Sequence, residues 1–387
     1  MLLDAYQRFT AGCGDSLHVT AHSHHPWPDV TREAQVAYWE DSVRLTNEKW
    51  DRIFGEVVPE AQRHLARWLN LPRPARIAFA PNTHEFVARL YSCLDWSRPL
   101  RLLTSGHEFT SFARQTRRLE ETGRLIVSRV PAEPYATFVP RFRDALSHGH
   151  DFVFLSHVFY DTGFHVVDVD AALADVPEQT LVAVDGYHAV GAVPVDLSRL
   201  ADRVFYLGGG YKYLQAGEGA CFMAVPLCGD ALRPVFTGWF ADFRPATGTG
   251  GSAEVGYGPE AMRFWGATFD PSALYRLNAV MRLYAERGID AHGIRAHVVQ
   301  LMERFLEGID ALQLERLPVA SLAPPLGVPR GNFCAFTSER AAEVEWRLLA
   351  RRILVDRRGE RIRFGFGVYQ DAAFVDRLVE RVAAALA

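Results

Sequence analysis

The sequence predicts an α/β protein: a large domain built on a mostly parallel sheet covered by helices, followed by a smaller C-terminal α/β domain. Three observations predict it. Six short apolar runs, partly β-branched or aromatic, recur between residues 75 and 208 with helical segments between most of them, the pattern of strands buried on both faces. A glycine- and proline-rich stretch, PATGTGGSAEVGYGPE (245–260), then breaks the pattern as a long loop, with helical periodicity resuming at Pro271. Finally, 387 residues exceed what one small core organises.

In chain order, residues 1–50 form an arm and a helix joining the small domain. His18 to Pro28 is irregular and rich in histidine and proline, and VTREAQVAYWEDSVRLTNEKW (30–50) carries a helical pattern. Residues 51–275 form the large domain, with strands ARIAFA (75–80), LRLLTS (100–105), RLIVSRV (124–130), FVFLSH (152–157), LVAVD (181–185) and RVFYLG (203–208). Residues 276–387 form the small domain. Helices run from Pro271 to about Gly308, and the strands RGNFCAFTS (330–338) and RIRFGFG (361–367) flank a helix at Ala341–Arg351. Ligands in such sheets bind beyond the carboxyl ends of the strands.

Composition narrows the class. Hydrophobic residues at 49% and charged residues at 23% fit a soluble globular chain. A net charge of −4 gives no footprint for nucleic acid. The five cysteines are scattered and lack metal-site spacing, so reduced thiols in a cytoplasmic protein are expected. The start MLLDAYQRFTAGCGD has no apolar core of a signal peptide, and no segment has the length of a membrane span. The histidines His18, His22, His24 and His25 lack a patterned glutamate or cysteine partner, so no metal is expected and a polar active-site arm is the better reading.

The chemistry gathers at strand exits. Lysine is scarce, and Lys212 follows VFYLGGGY, so its backbone leaves a buried strand. Asp185 ends LVAVD and opens Asp-Gly-Tyr-His. A lysine for a Schiff base and an acid for a pyridine nitrogen are the pair that pyridoxal phosphate needs. Burial lowers a lysine's pKa and prepares a neutral amine, which then serves as general base for an α-proton. A surface lysine and a strand-terminal cap remain the plain readings. His188 either stacks on the cofactor or is a satisfied histidine at a helix start. Pro81-Asn82-Thr83-His84-Glu85-Phe86 follows a strand, and Asn82 with Glu85 fits a reciprocal capping box. That helix start is either a plain cap or a phosphate cradle of backbone N–H groups and the Thr83 hydroxyl. Tyr211 is a phosphate ligand or a packing ring, and Phe109 a ring against the cofactor or core. Strand alternation puts Arg361 and Arg363 on one face, where Arg363 either grips a carboxylate bidentately or is solvated at an edge.

Together these segments resemble the class V aminotransferase group of fold-type I pyridoxal phosphate enzymes, and kynureninase most specifically. Val184-Asp-Gly-Tyr-His-Ala-Val-Gly191 followed by Tyr211-Lys-Tyr-Leu-Gln-Ala-Gly217 carries the resemblance, with Ser156-His-Val-Phe-Tyr-Asp-Thr-Gly163, Gly238-Trp-Phe240 and Arg361-Ile-Arg363 in support. It implies Lys212 as the Schiff-base lysine, Asp185 as the pyridine partner and His188 beside the cofactor's oxygen. It also implies Phe109 as the stacking ring, with Thr83, Tyr211 and Trp239 at the phosphate, and Arg363 on the carboxylate of an amino acid substrate. Asn82, His84 and Thr268 join the cofactor set. The group implies a homodimer with sites at the subunit boundary.

The chain departs from that family where substrate would sit. The Gly-Asn-Ser-Leu-Gly element reads Ala21-His-Ser-His-His25, Gly-His after Gly-Trp-Phe reads Ala241-Asp242, and an asparagine-proline element is replaced near Thr268-Phe-Asp-Pro271. Ser23, His24, His25 and Asp242 are therefore the expected substrate-facing set. The expected reaction is hydrolytic Cβ–Cγ cleavage of a γ-keto amino acid, or transamination, β-elimination or epimerisation on a different amino acid.

Overall fold

The protein's structure, a computed structural model, describes residues 1–243 and 255–387. Most of the predicted 245–260 loop thus lies outside the described residues. Twelve strands occur among those described: β1 (Leu17–His18), β2 (Ile77–Ala80), β3 (Leu100–Ser105), β4 (Leu125–Val130), β5 (Phe152–Ser156), β6 (Leu181–Asp185), β7 (Phe205–Gly209), β8 (Cys221–Ala224), β9 (Phe333–Thr337), β10 (Ile353–Leu354), β11 (Asp356–Arg358) and β12 (Arg361–Gly365).

Seven strands form one sheet in the order β2-β8-β7-β6-β5-β3-β4. From β7 to β4 every pairing is parallel, while β8 runs antiparallel to both β7 and β2. Every residue of β2, β5, β7 and β8 is buried, which is why these runs read as continuously apolar rather than alternating. The β8 run, Cys-Phe-Met-Ala, escapes the sequence reading because it is four residues long and follows a glycine-rich segment. Burying each Val, Leu or Phe here contributes about 1.5–3 kcal/mol, so the strand ends that carry the chemistry project from a rigid base.

Beyond the large sheet, β11-β12-β9 form an antiparallel three-stranded sheet, with the predicted helix observed at Ala341–Ala350. A last helix, Ala372–Leu386, begins where Asp371 accepts the Phe374 N–H. The N-terminal segment reaches this end of the molecule: β1 pairs in parallel with β10, and Thr20 bridges Gly365. Its helix, Val30–Leu45, packs along Ser272–Glu286, and Tyr275 donates to Asp41 at 3.0 Å. Among the described residues no helix is long and apolar enough to cross a membrane.

Candidate active site

β6 delivers Asp185 and β7 delivers Lys212 to one cavity of about 400 Å³ at the carboxyl ends of the parallel strands. Two glycines make room for the turn. A Cβ on Gly186 would lie 2.2 Å from the Tyr206 ring, and one on Gly209 would lie 2.2 Å from the Tyr187 hydroxyl. The Tyr187 N–H donates to Asp185 Oδ1 at 2.9 Å, and the Tyr187 hydroxyl sits 3.3 Å from Cys221 Sγ. Tight glycine packing thus holds the Asp185 exit against β7 and β8.

Lys212 is 4% exposed. Its Nζ stands 2.7 Å from His188 Nε2, and 4.6, 5.4 and 5.5 Å from the ring centroids of Tyr187, Tyr211 and Phe109. Burial drags its pKa down to about 7, and the negative charge of Asp185 opposes that fall. Burial, then the Lys212 charge, holds His188 well below the ordinary histidine range. Asp185 is pushed up by burial, with the Tyr187 N–H and Lys212 pulling back. A neutral imidazole, an amine poised near neutrality and a carboxyl therefore share one buried space.

At another wall, the helix Thr83–Ser92 opens toward the cavity, which Asn82, Thr83 and His84 line. Asn82 Oδ1 accepts the Glu85 N–H at 3.1 Å. The reciprocal half of the predicted capping box is not made: Glu85 accepts from Arg89 at 2.8 Å instead, a charge-assisted contact one turn on that outcompetes the backbone. The Glu85 N–H is thus taken by Asn82 and the Thr83 N–H faces the Cys221 thiol, but the positive end of the helix still suits a phosphate. Phe109 and Tyr211 also line the cavity, with Tyr160 and Cys221, two residues that sequence reasoning did not single out.

Glu108 is the principal residue missed. It is buried, and its carboxyl accepts from Ser105 Oγ and Ser156 Oγ, each at 2.5 Å. Its neighbour Phe109 drew attention as an aromatic ring; Glu108 carried no comparable signal.

Arg363 differs from its expected form. It is 1% exposed, absent from the cavity wall, and already engaged by the Asp356 carboxylate and the Tyr160 carbonyl. The cause is register: Asp356 of β11 lies directly opposite Arg363 of β12. Arg361 pairs with Asp161 at 3.2 Å. His22, read from the sequence as part of a polar active-site arm, is fully buried with Nε2 3.4 Å from Asp356. Burial, then Arg363, lowers its pKa to about 3, so it stands neutral.

The remaining candidates lie apart from the cavity wall. His25 is a packing residue: its Nδ1 sits 2.9 Å from the Pro26 carbonyl oxygen and its ring stands edge-on to Tyr369 at 5.1 Å. It fills the space that a Cβ on Gly367 would invade, 2.5 Å from its Nε2. His24 is exposed beside the Tyr211 ring at 5.7 Å. Ser23 donates to the Thr20 carbonyl at 3.2 Å. Trp239 is exposed and donates to Thr268 Oγ1 at 3.1 Å, and Asp242 is half-buried. Among the described residues no cluster of His, Cys, Asp and Glu is arranged to hold a metal ion.

The architecture recurs in solved structures. The cystine C–S lyase C-DES in complex with cysteine persulfide superposes with a TM-score of 0.79 at 19% identity, covering 96% of this chain and 98% of that one. The apo cysteine desulfurase of Thermococcus onnurineus NA1 gives 0.78 at 17% identity, covering 96% and 95%. The fold is that of the fold-type I pyridoxal phosphate enzymes. Residues 28–378 match the Aminotransferase class-V family, and the chain belongs to it. Kynureninase of Burkholderia mallei (strain SAVP1) is 29% identical over 230 residues, 58% of this chain and 53% of that protein. Kynureninase of Pseudomonas fluorescens is 28% identical over 221 residues, 55% and 50%. The alignments span about half the length of these curated relatives.

Proposed function

We propose that the protein binds pyridoxal phosphate through Lys212 and carries out kynureninase-like hydrolytic Cβ–Cγ cleavage of a γ-keto amino acid or a close relative. The observation that carries the reading is the 2.7 Å contact of Lys212 Nζ with His188 Nε2 in a cavity that Asp185 also lines. The residues present suit the cofactor. His188 Nδ1 is buried without a hydrogen-bond partner, the Lys212 amine is poised near neutrality, and a helix N-terminus faces the same space. When bound, pyridoxal phosphate supplies an electrophilic carbon for the amine and a ring that draws electrons from the substrate's α-carbon.

The chain's own groups do the rest. Lys212 holds the cofactor and, when freed, takes the α-proton, a step that an amine poised near pH 7 performs best. Asp185 supplies the carboxylate for the ring nitrogen. Asn82 and Thr83 offer the anion-binding end, and Phe109 and Tyr211 give apolar walls that exclude water. Arg363 receives the substrate carboxylate after exchanging its contact with Asp356. Kynurenine turnover tests this: anthranilate release supports it. Amino transfer to a keto acid without anthranilate would establish the second reading, a class V aminotransferase. Loss of cofactor absorbance in Lys212→Ala tests both. Cysteine desulfuration is a poorer match, since burial pushes the Cys221 thiol at the cavity up to about 12.

The reading extends to a cytoplasmic homodimer with its sites at the subunit boundary. Val235, Phe236 and Trp239 present exposed apolar side chains, and light scattering that returned a monomer mass would remove the dimer.

A further inference from the structure

Strands β3 and β5 pair at two positions only, Leu102 with Phe152 and Leu103 with Val153. Beyond them the strands part, and the carboxyl of Glu108 fills the fork. Oε1 accepts from Ser105 Oγ at 2.5 Å and lies 3.4 Å from the Ser105 N and 3.3 Å from the Ser156 N; Oε2 accepts from Ser156 Oγ at 2.5 Å. Glu108 thus replaces the missing ladder hydrogen bonds with side-chain ones. Ser156 is also the register partner of Asp185 across β5 and β6, and it lines the cavity.

We propose that Glu108 is a positioning carboxyl of the site, one that fixes Ser156 beside Asp185 and sets a second acid behind the end of the cavity where Asp185 stands. This rests on the cofactor reading above. Burial first, and the nearby Asp185 charge, raise Glu108 to about 7 against the pull of the two serines. The groups bearing on it are Ser105 from β3, Ser156 from β5 and Asp185 from β6.

Glu108→Gln keeps hydrogen-bonding capacity and removes the charge, while Glu108→Asp keeps the charge. The test follows the absorbance of the cofactor-loaded enzyme from pH 5 to 9. The Gln variant is expected to bind cofactor and to shift the spectral midpoint downward by about 0.5–1 unit, roughly three- to tenfold in proton affinity, because a negative charge that favours the protonated form is gone. The Asp variant restores the midpoint. A Gln midpoint within about 0.1 unit of wild type overturns the proposal and leaves Glu108 a staple.

A second measurement needs no cofactor: the pH dependence of unfolding of the cofactor-free proteins. A carboxyl whose folded pKa is raised from 4.5 to about 7 makes wild type lose stability relative to the Gln variant as pH rises through that window. The opposite slope also overturns the proposal. Should the wild-type protein show no cofactor absorbance near the visible edge when cofactor is added, the cofactor reading itself falls, an outcome distinct from either result on Glu108.

Discussion

The chain contains two lysines, Lys49 and Lys212, which allows a direct test of how the cavity prepares its amine. With its pKa drawn from 10.5 to about 7, Lys212 is about half neutral at pH 7, against roughly one part in 2,500 for an ordinary lysine. The reactive fraction is therefore about a thousandfold larger. Brief acetylation of the cofactor-free protein from pH 5 to 10, with both lysine peptides quantified by mass spectrometry, reads the titration, and Lys49 is the internal reference. The Lys212 rate should reach half its plateau near pH 7. Asp185→Asn should move that midpoint lower, because the Asp185 charge raises the lysine. A wild-type midpoint above about 9 would refute the desolvation argument. Linkage gives a second sign: a lysine whose folded pKa lies below its unfolded value makes stability rise with pH from about 7 to 10.5. Lys212→Met should accordingly stabilise the cofactor-free protein at pH 7, with the advantage fading toward pH 10.

Lys212→Ala removes the cofactor's anchor together with the general base, and with cofactor added should lower turnover by at least about 10²–10⁴-fold, the usual worth of the base alone; a steady-state assay reads it. Gly186→Ala forces a methyl to within 2.2 Å of Tyr206 and should cost about 1–3 kcal/mol by overpacking, seen as a lower denaturant midpoint with weaker cofactor retention. Asn82→Ala removes the cap on Glu85 N–H and should cost about 1 kcal/mol, while the Glu85–Arg89 contact persists. Arg363→Lys loses the planar fork and should raise KM for carboxylate substrates about 10–100-fold, with little effect on the corresponding amides.

The meeting of Asp185 and Lys212 in one cavity was legible because it depends on local order. An apolar run ending in Asp185 and another leading through glycines to Lys212 place both groups at strand exits, whatever the distant chain does. The bounds read for LVAVD and LRLLTS coincide with β6 and β3. The Asn82 cap was legible for the same reason, whereas Glu85 was not, because Arg89 competes for it one turn later. What stayed hidden depends on pairing between distant segments. Asp356 neutralises Arg363 only because β11 and β12 meet in one particular register, and Glu108 matters only because β3 and β5 part beside it. The histidine arm looked like a substrate wall. The alternating glycines of Arg361-Ile-Arg-Phe-Gly-Phe-Gly367 were the signal that its rings had a surface to lie on.

That seat has a consequence for the order in which the protein is made. Thr20 meets Gly365 across most of the chain. At about 5–20 residues per second during synthesis, roughly 20–70 s separate the appearance of the two. Through that interval the arm with His22 and His25 waits while the large sheet folds as a unit. The strand segment that seats the arm is thus made only after every residue lining the Lys212 cavity has been synthesised.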